Sequence, residues 1–135
     1  TEDGQGNGVF HLTKAVSLTA RDVRNLQLAK AAVVGGIRVL LEQRGVTADD
    51  IASVELAGGF GNYLSPENVV RIGMLPRACL SKIRPLGNTA LAGASMLALD
   101  GENWRKLAEI PEKCRYLELS GRDDFSRAFT DSLTF

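Results

Sequence analysis

Three glycines in four positions, Gly58, Gly59 and Gly61, lie in the run Leu56-Ala57-Gly58-Gly59-Phe60-Gly61-Asn62-Tyr63-Leu64-Ser65-Pro66. A short apolar stretch precedes them, and Ser65-Pro66 is a helix-start pair. The pattern reads as strand, tight turn, helix. Glycine permits positive φ and lets bare backbone approach a ligand. Strand-to-helix turns of this kind cradle phosphates and nucleotides. The stretch matches neither standard phosphate fingerprint. Counted from Gly59, the dinucleotide pattern requires glycine where Leu64 stands, and no P-loop lysine follows. Spacing alone therefore leaves a structural turn and a ligand loop both open. Asn62 offers an amide that donates and accepts, and the Tyr63 ring either stacks on a base or packs in a core.

Gly87-Asn88-Thr89 follows the same logic: a strand end, a glycine and polar caps opening a helix. By itself it is a capped helix. Beside the first turn it suggests a shared cleft at the ends of strands. In Ser120-Gly121-Arg122-Asp123-Asp124-Phe125, Arg122 either holds an anion or pairs with a carboxylate, unless the stretch is a surface turn capped by Ser or Asp. His11 is the only histidine, so no Ser/His/Asp or Cys/His arrangement is available, and no catalytic residue is assigned. Cys79 and Cys114 are far apart and read as buried, reduced thiols rather than cluster ligands. Asp49, Asp50 and Glu67 suit helix starts better than a metal set, and no metal site is expected.

These residues need elements to hold them. Residues 1–8 are glycine-rich and polar, a flexible start. Val9 to Leu12 and Ala15 to Leu18 suggest short strands. Thr19, with Asp22 three residues on, resembles a capping box. It opens a helix over 20–44 with apolar residues at Val23, Leu26, Val33, Ile37, Leu40 and Leu41, one face being buried. The small residues Ala29, Ala31, Ala32, Gly35 and Gly36 predict close packing of another backbone, and Gly45 ends the helix. Thr47 caps a short turn. Strands follow at Ser53 to Ala57 and Ile83 to Leu86, with a helix from Ser65 towards Gly73 between them. The small-residue helix Ala90 to Leu99 predicts close packing against a sheet or helix. A helix over Trp104 to Ile110, a strand over Tyr116 to Leu119 and a closing helix over Asp123 to Leu133 complete the chain. Strands alternating with helices predict an α/β domain.

The bulk properties exclude several classes. The 135 residues fit one domain, 1–135, and apolar and charged fractions of 44% and 24% are those of a globular protein. Net charge is zero, with no basic cluster to meet nucleic acid. No apolar run approaches the roughly 20 residues needed to cross a bilayer, and a cytoplasmic location is expected. The opening Thr1-Glu2-Asp3-Gly4 has no methionine and reads as a linker or hairpin tip, so a piece of a longer protein is expected.

Four stretches resemble the reductive activators of corrinoid proteins. They are Arg21 to Ala32, Leu56 to Leu64 with Pro66-Glu67-Asn68, Gly87-Asn88-Thr89-Ala90-Leu91-Ala92-Gly93-Ala94, and Glu118 to Phe125. They occur in family order across most of residues 19–129. At Asp123-Asp124 relatives often have proline. The resemblance implies a multidomain protein: an N-terminal plant-type [2Fe–2S] ferredoxin domain, a middle region, and a C-terminal ATPase domain of the acetate and sugar kinase, heat-shock protein 70 and actin superfamily. That ATPase domain has two ribonuclease-H-like halves around a nucleotide cleft. This chain resembles its last part, an actin-like half-domain with a short mixed sheet packed by helices.

By this resemblance the family spends ATP to return an inactive Co(II) corrinoid protein of a methyltransferase system to Co(I). Gly58, Gly59, Phe60, Gly61 and Asn62 match the turn that contacts adenosine and its nearest phosphate. Gly87, Asn88 and Thr89 open what resembles the interdomain helix. The first phosphate loop, the Mg²⁺-positioning acids and the [2Fe–2S] cysteines find no match, so this stretch alone is expected to be inactive. Two other functions stay open: a docking or homodimerisation module for a corrinoid protein, and part of a small-molecule kinase.

Overall fold

A computed structural model describes residue 6, residues 8–61 and residues 63–135, and of Phe60 only the backbone. Most of the expected flexible start lies outside these residues. The chain forms two compact units: Thr1–Gly45 with Gly121–Phe135, and Val46–Ser120.

In the first unit, β1 (Val9–His11) and β2 (Ser17–Thr19) pair antiparallel, Phe10 facing Leu18. Helix α1 (Ala20–Arg44) follows directly. Its start is fixed by a reciprocal cap. Thr19 Oγ1 accepts from the Asp22 backbone N–H at 3.1 Å, and Asp22 Oδ2 accepts from the Thr19 N–H at 2.9 Å and the Thr19 hydroxyl at 2.7 Å. The two bonds its carboxylate accepts, that from the Thr19 backbone foremost, hold the Asp22 carboxyl below the usual carboxylate range. Gly45 ends the helix in the left-handed region at φ 64°.

The buried face of α1 differs from the expected one. It comprises Lys30, Ala31, Gly35, Gly36 and Val39, whereas Val23, Leu26, Val33 and Leu40 are exposed. The reason is close approach by α6 (Asp123–Asp131). A Cβ on Gly35 would come within 3.1 Å of the Phe125 ring and 3.3 Å of the Phe129 backbone nitrogen. Phe125 and Phe129, one turn apart, stack obliquely with ring centroids 6.2 Å apart. The predicted close contact in mid-helix is therefore real, and small side chains admit it where large ones could not.

In the second unit, a 3₁₀ turn at Ala48–Asp50 leads to β3 (Val54–Ala57). The order continues with α2 (Gly58–Gly61), α3 (Pro66–Arg71), a 3₁₀ stretch at Arg77–Lys82, β4 (Ile83–Gly87), α4 (Thr89–Leu99) and α5 (Glu102–Lys113). Strands β3 and β4 are parallel, with a register irregularity after Leu56. Where the sequence predicts one short mixed sheet, the described residues form two two-stranded sheets, one antiparallel and one parallel. Among the described residues, Val69, Leu75 and Cys79 are the buried apolar side chains of this unit.

One further expectation fails. Tyr116 to Leu119 is not a strand. Tyr116 is 86% exposed, and its hydroxyl donates to Glu118 Oε2 at 2.6 Å, a local bond where a ladder partner would be needed. No residue of α4 is buried, Leu99 being 87% exposed, and a Cβ on Gly93 would meet nothing within 4 Å. Among the described residues nothing buries the small side of α4, so its expected close packing has no partner within this stretch.

Candidate functional site

The two glycine turns stand side by side. Residues Ala57 and Gly87 face each other at the last paired position of β3 and β4, so both turns leave the carboxyl ends of a parallel pair. Gly58 continues from β3 with φ 86°, and Gly87 closes β4 with φ 69°. Both values lie in the region that favours glycine. The sequence brought these turns together only as a suggestion; the register makes them neighbours.

The three glycines of the first turn serve different ends. Gly58 provides the positive φ. Gly61 is buried, and a Cβ there would lie 2.9 Å from the Leu56 carbonyl carbon and 3.1 Å from its oxygen, so the turn folds back on its own strand. Gly59 is exposed, and among the described residues a Cβ there would meet nothing within 4 Å. Bare backbone at Gly59 thus faces open space that a ligand can enter. Phe60 contributes its backbone to α2, and Asn62 lies outside the described residues. Tyr63, next in line, is 90% exposed, so it does not pack in a core.

Polar caps fix the helices that follow. Ser65 Oγ accepts from the Asn68 N–H at 3.3 Å and donates to Glu67 Oε2 at 2.7 Å, which lowers the Glu67 pKa. Asn88 Oδ1 accepts from the Leu91 N–H at 3.0 Å. Asn88 and Thr89 are exposed at the start of α4.

Arg122 is engaged otherwise. Its Nε donates to Asp124 Oδ1 at 2.9 Å and its Nη2 to Oδ2 at 2.6 Å, a bidentate pair that raises the Arg122 pKa and lowers that of Asp124. Of the two alternatives, the carboxylate partner is the one realised. No side chain caps α6, so the Ser or Asp cap is absent.

Asp50 accepts from the Thr47 N–H and hydroxyl, both at 2.8 Å, which lowers its pKa and fits the helix-start role. Cys79 is buried as expected, but Cys114 is exposed at the end of α5, where no element covers it among the described residues. Among the described residues no three His, Cys, Asp or Glu side chains gather as metal ligands, and no helix is long and apolar enough to cross a membrane. A cavity of about 550 Å³ lies along β1, β2 and the start of α1, lined by Phe10, Leu18 and Val23; none of its lining residues belongs to a glycine turn. We place the candidate site at the turns, where the bare backbone is.

Comparison with known proteins agrees with this architecture. Residues 5–135 match the family described as the C-terminal domain of RACo, the ASKHA domain. The corrinoid activation enzyme RamQ of Eubacterium limosum is 34% identical over 122 residues, covering 90% of this chain and 21% of that protein. The Co(II) methylated amine-specific corrinoid protein reductase of Methanosarcina barkeri is 26% identical over 131 residues, covering 96% of this chain and 24% of that protein. Among solved structures, a reductive activator for corrinoid, iron–sulfur protein superposes with a TM-score of 0.85 at 32% identity, over 98% of this chain and 22% of that one. The chain thus spans between a fifth and a quarter of the length of these relatives. The actin-like class follows from the same match, and the chain belongs to the RACo C-terminal, ASKHA domain family of corrinoid reductive activators.

Proposed function

We propose that this chain is the nucleotide-binding C-terminal portion of an ATP-dependent activator that returns a Co(II) corrinoid protein to Co(I). One observation carries the proposal: the exposed, sterically open Gly59 beside two left-handed glycines at the paired ends of β3 and β4. In this reading Gly58, Gly59, Phe60, Gly61 and Asn62 meet the adenosine and its nearest phosphate. Gly87, Asn88 and Thr89 form the adjoining edge of the cleft. The fold is a ribonuclease-H-like half of an actin-like ATPase, residues 1–135 acting as one domain. The protein is cytoplasmic.

The nucleotide supplies the free energy and Mg²⁺ accompanies it; the [2Fe–2S] centre belongs to a ferredoxin domain outside these residues. What residues 1–135 do is bind and orient. Ser65 and Asn88 fix the helices after each turn, which holds the turn backbone in place. Nucleotide binding changes how a corrinoid protein is held only if the nucleotide prefers one of two conformations.

The test is nucleotide titration of the full-length protein, followed by ATP-dependent reduction of a Co(II) corrinoid protein read from its absorbance. Gly59→Val is expected to weaken ATP binding while leaving the fold intact, because its side chain enters only open space. Unchanged ATP affinity in that variant overturns the site. It would instead favour a docking or homodimer module, a reading supported by the exposed apolar face of α4 at Leu91, Met96 and Leu99.

A further inference from the structure

Lys30 is 3% exposed in the middle of α1, one residue before the small stripe Ala31, Gly35, Val39. Burying an ammonium is costly unless other groups replace its water. Among the described residues no carboxylate lies within ion-pair distance of it. Its Nζ donates to the Thr134 carbonyl, and the same ammonium lies 5.2 Å from the centroid of the Phe135 ring. Cations are attracted to an aromatic face at that range. Both groups that replace water around the charge therefore come from the short segment after α6.

Beyond its first two residues that segment has little else to hold it. Ser132 is 5% exposed and its hydroxyl donates to the Ala128 carbonyl at 2.7 Å, a bond within the last turn of α6. The N–H groups of Ser132 and Leu133 go to the Phe129 and Thr130 carbonyls at 3.1 and 3.3 Å, again local. Thr134 and Phe135 are exposed. For these two residues the tie to α1 runs through the ammonium.

We propose that Lys30 is a charge lock and that Thr134–Phe135 is a strap, closed over α1 only while the ammonium is present. The lock and the α1–α6 contact are separate devices. The contact is apolar and rests on Gly35 against Phe125 and Phe129, whereas the strap rests on one cation. Opening the strap leaves α6 seated and uncovers Lys30.

Amide hydrogen exchange in the full chain tests the separation. Lys30→Met keeps the length and apolar stem while removing the charge. It is expected to speed exchange at least about tenfold at the Ser132 and Leu133 amides, which adjoin the strap and bond to the last turn of α6, while the amides of 31–39 and 125–129 keep their protection. Equal acceleration throughout the unit overturns the lock, because Lys30 would then be ordinary core packing. Unchanged exchange overturns it as well. Should Lys30→Met fail to fold, Phe135→Ala decides. Acceleration confined to Ser132 and Leu133 supports the strap, and unchanged or unit-wide exchange overturns it.

Discussion

Gly61 is folded onto the backbone of Leu56: a Cβ at residue 61 would stand 2.9 Å from the Leu56 carbonyl carbon. Two residues earlier, a Cβ on Gly59 would meet, among the described residues, nothing within 4 Å beyond its own local backbone. One turn thus contains a glycine kept by contact and a glycine with open space before it. Gly61→Ala is expected to cost about 1–3 kcal/mol through overpacking against backbone. Gly58→Ala, at φ 86°, is expected to cost about 1–2 kcal/mol through left-handed strain. Gly59→Val should unfold at nearly the wild-type midpoint. Urea titrations of the three variants check this order, and a Gly59→Val protein as unstable as Gly61→Ala would contradict it.

Gly35 is the point where α6 comes closest to α1. Gly35→Val places branched methyls against the Phe125 ring and the Phe129 backbone, and only the ring can move without shifting α6. A loss of about 1–3 kcal/mol is expected, read from the urea midpoint. Substituting the exposed Val33 by alanine on the opposite part of α1 should change the midpoint far less.

The cap at Thr19 makes stability depend on pH in a defined direction. Asp22 accepts two hydrogen bonds in the folded protein, so its folded pKa lies below its unfolded value. Its contribution is complete above the unfolded carboxylate pKa, about 4, and is lost as pH falls through the folded value. The midpoint difference between wild type and Asp22→Ala should therefore be largest near neutrality and shrink on acidification to about pH 3. Thr19→Ala, which removes the hydroxyl from the same cap, is expected to cost about 1 kcal/mol. A difference that grows as pH falls would reverse the assignment.

The two thiols differ in access. Cys114 is exposed and Cys79 is buried against the Ala48 carbonyl. A thiol reagent is expected to label Cys114 alone in native protein and both cysteines in urea. Rapid native labelling of Cys79 would mean that the 3₁₀ stretch at Arg77–Lys82 opens readily.

What the sequence determined by itself is the set of local decisions. The Thr19–Asp22 cap, the Gly45 stop, the Ser65-Pro66 start and the Asn88 cap each join groups within about four residues, so residue type and spacing suffice. The four ordered motifs were legible for the same reason, and the family match agrees with them. What only tertiary structure decided depends on elements distant in the chain. Helical spacing marked large apolar residues on α1 for burial, but the approach of Phe125 and Phe129 selected the stripe through Ala31, Gly35 and Val39. The alternation at Tyr116 to Leu119 suggested a strand, yet a strand requires a ladder partner, and none is paired with it among the described residues. Three similar glycines gave no hint that Gly61 packs while Gly59 stands open, because that difference lies in where Leu56 turns back. The neighbouring of the two turns likewise needed the parallel register that sets Ala57 opposite Gly87.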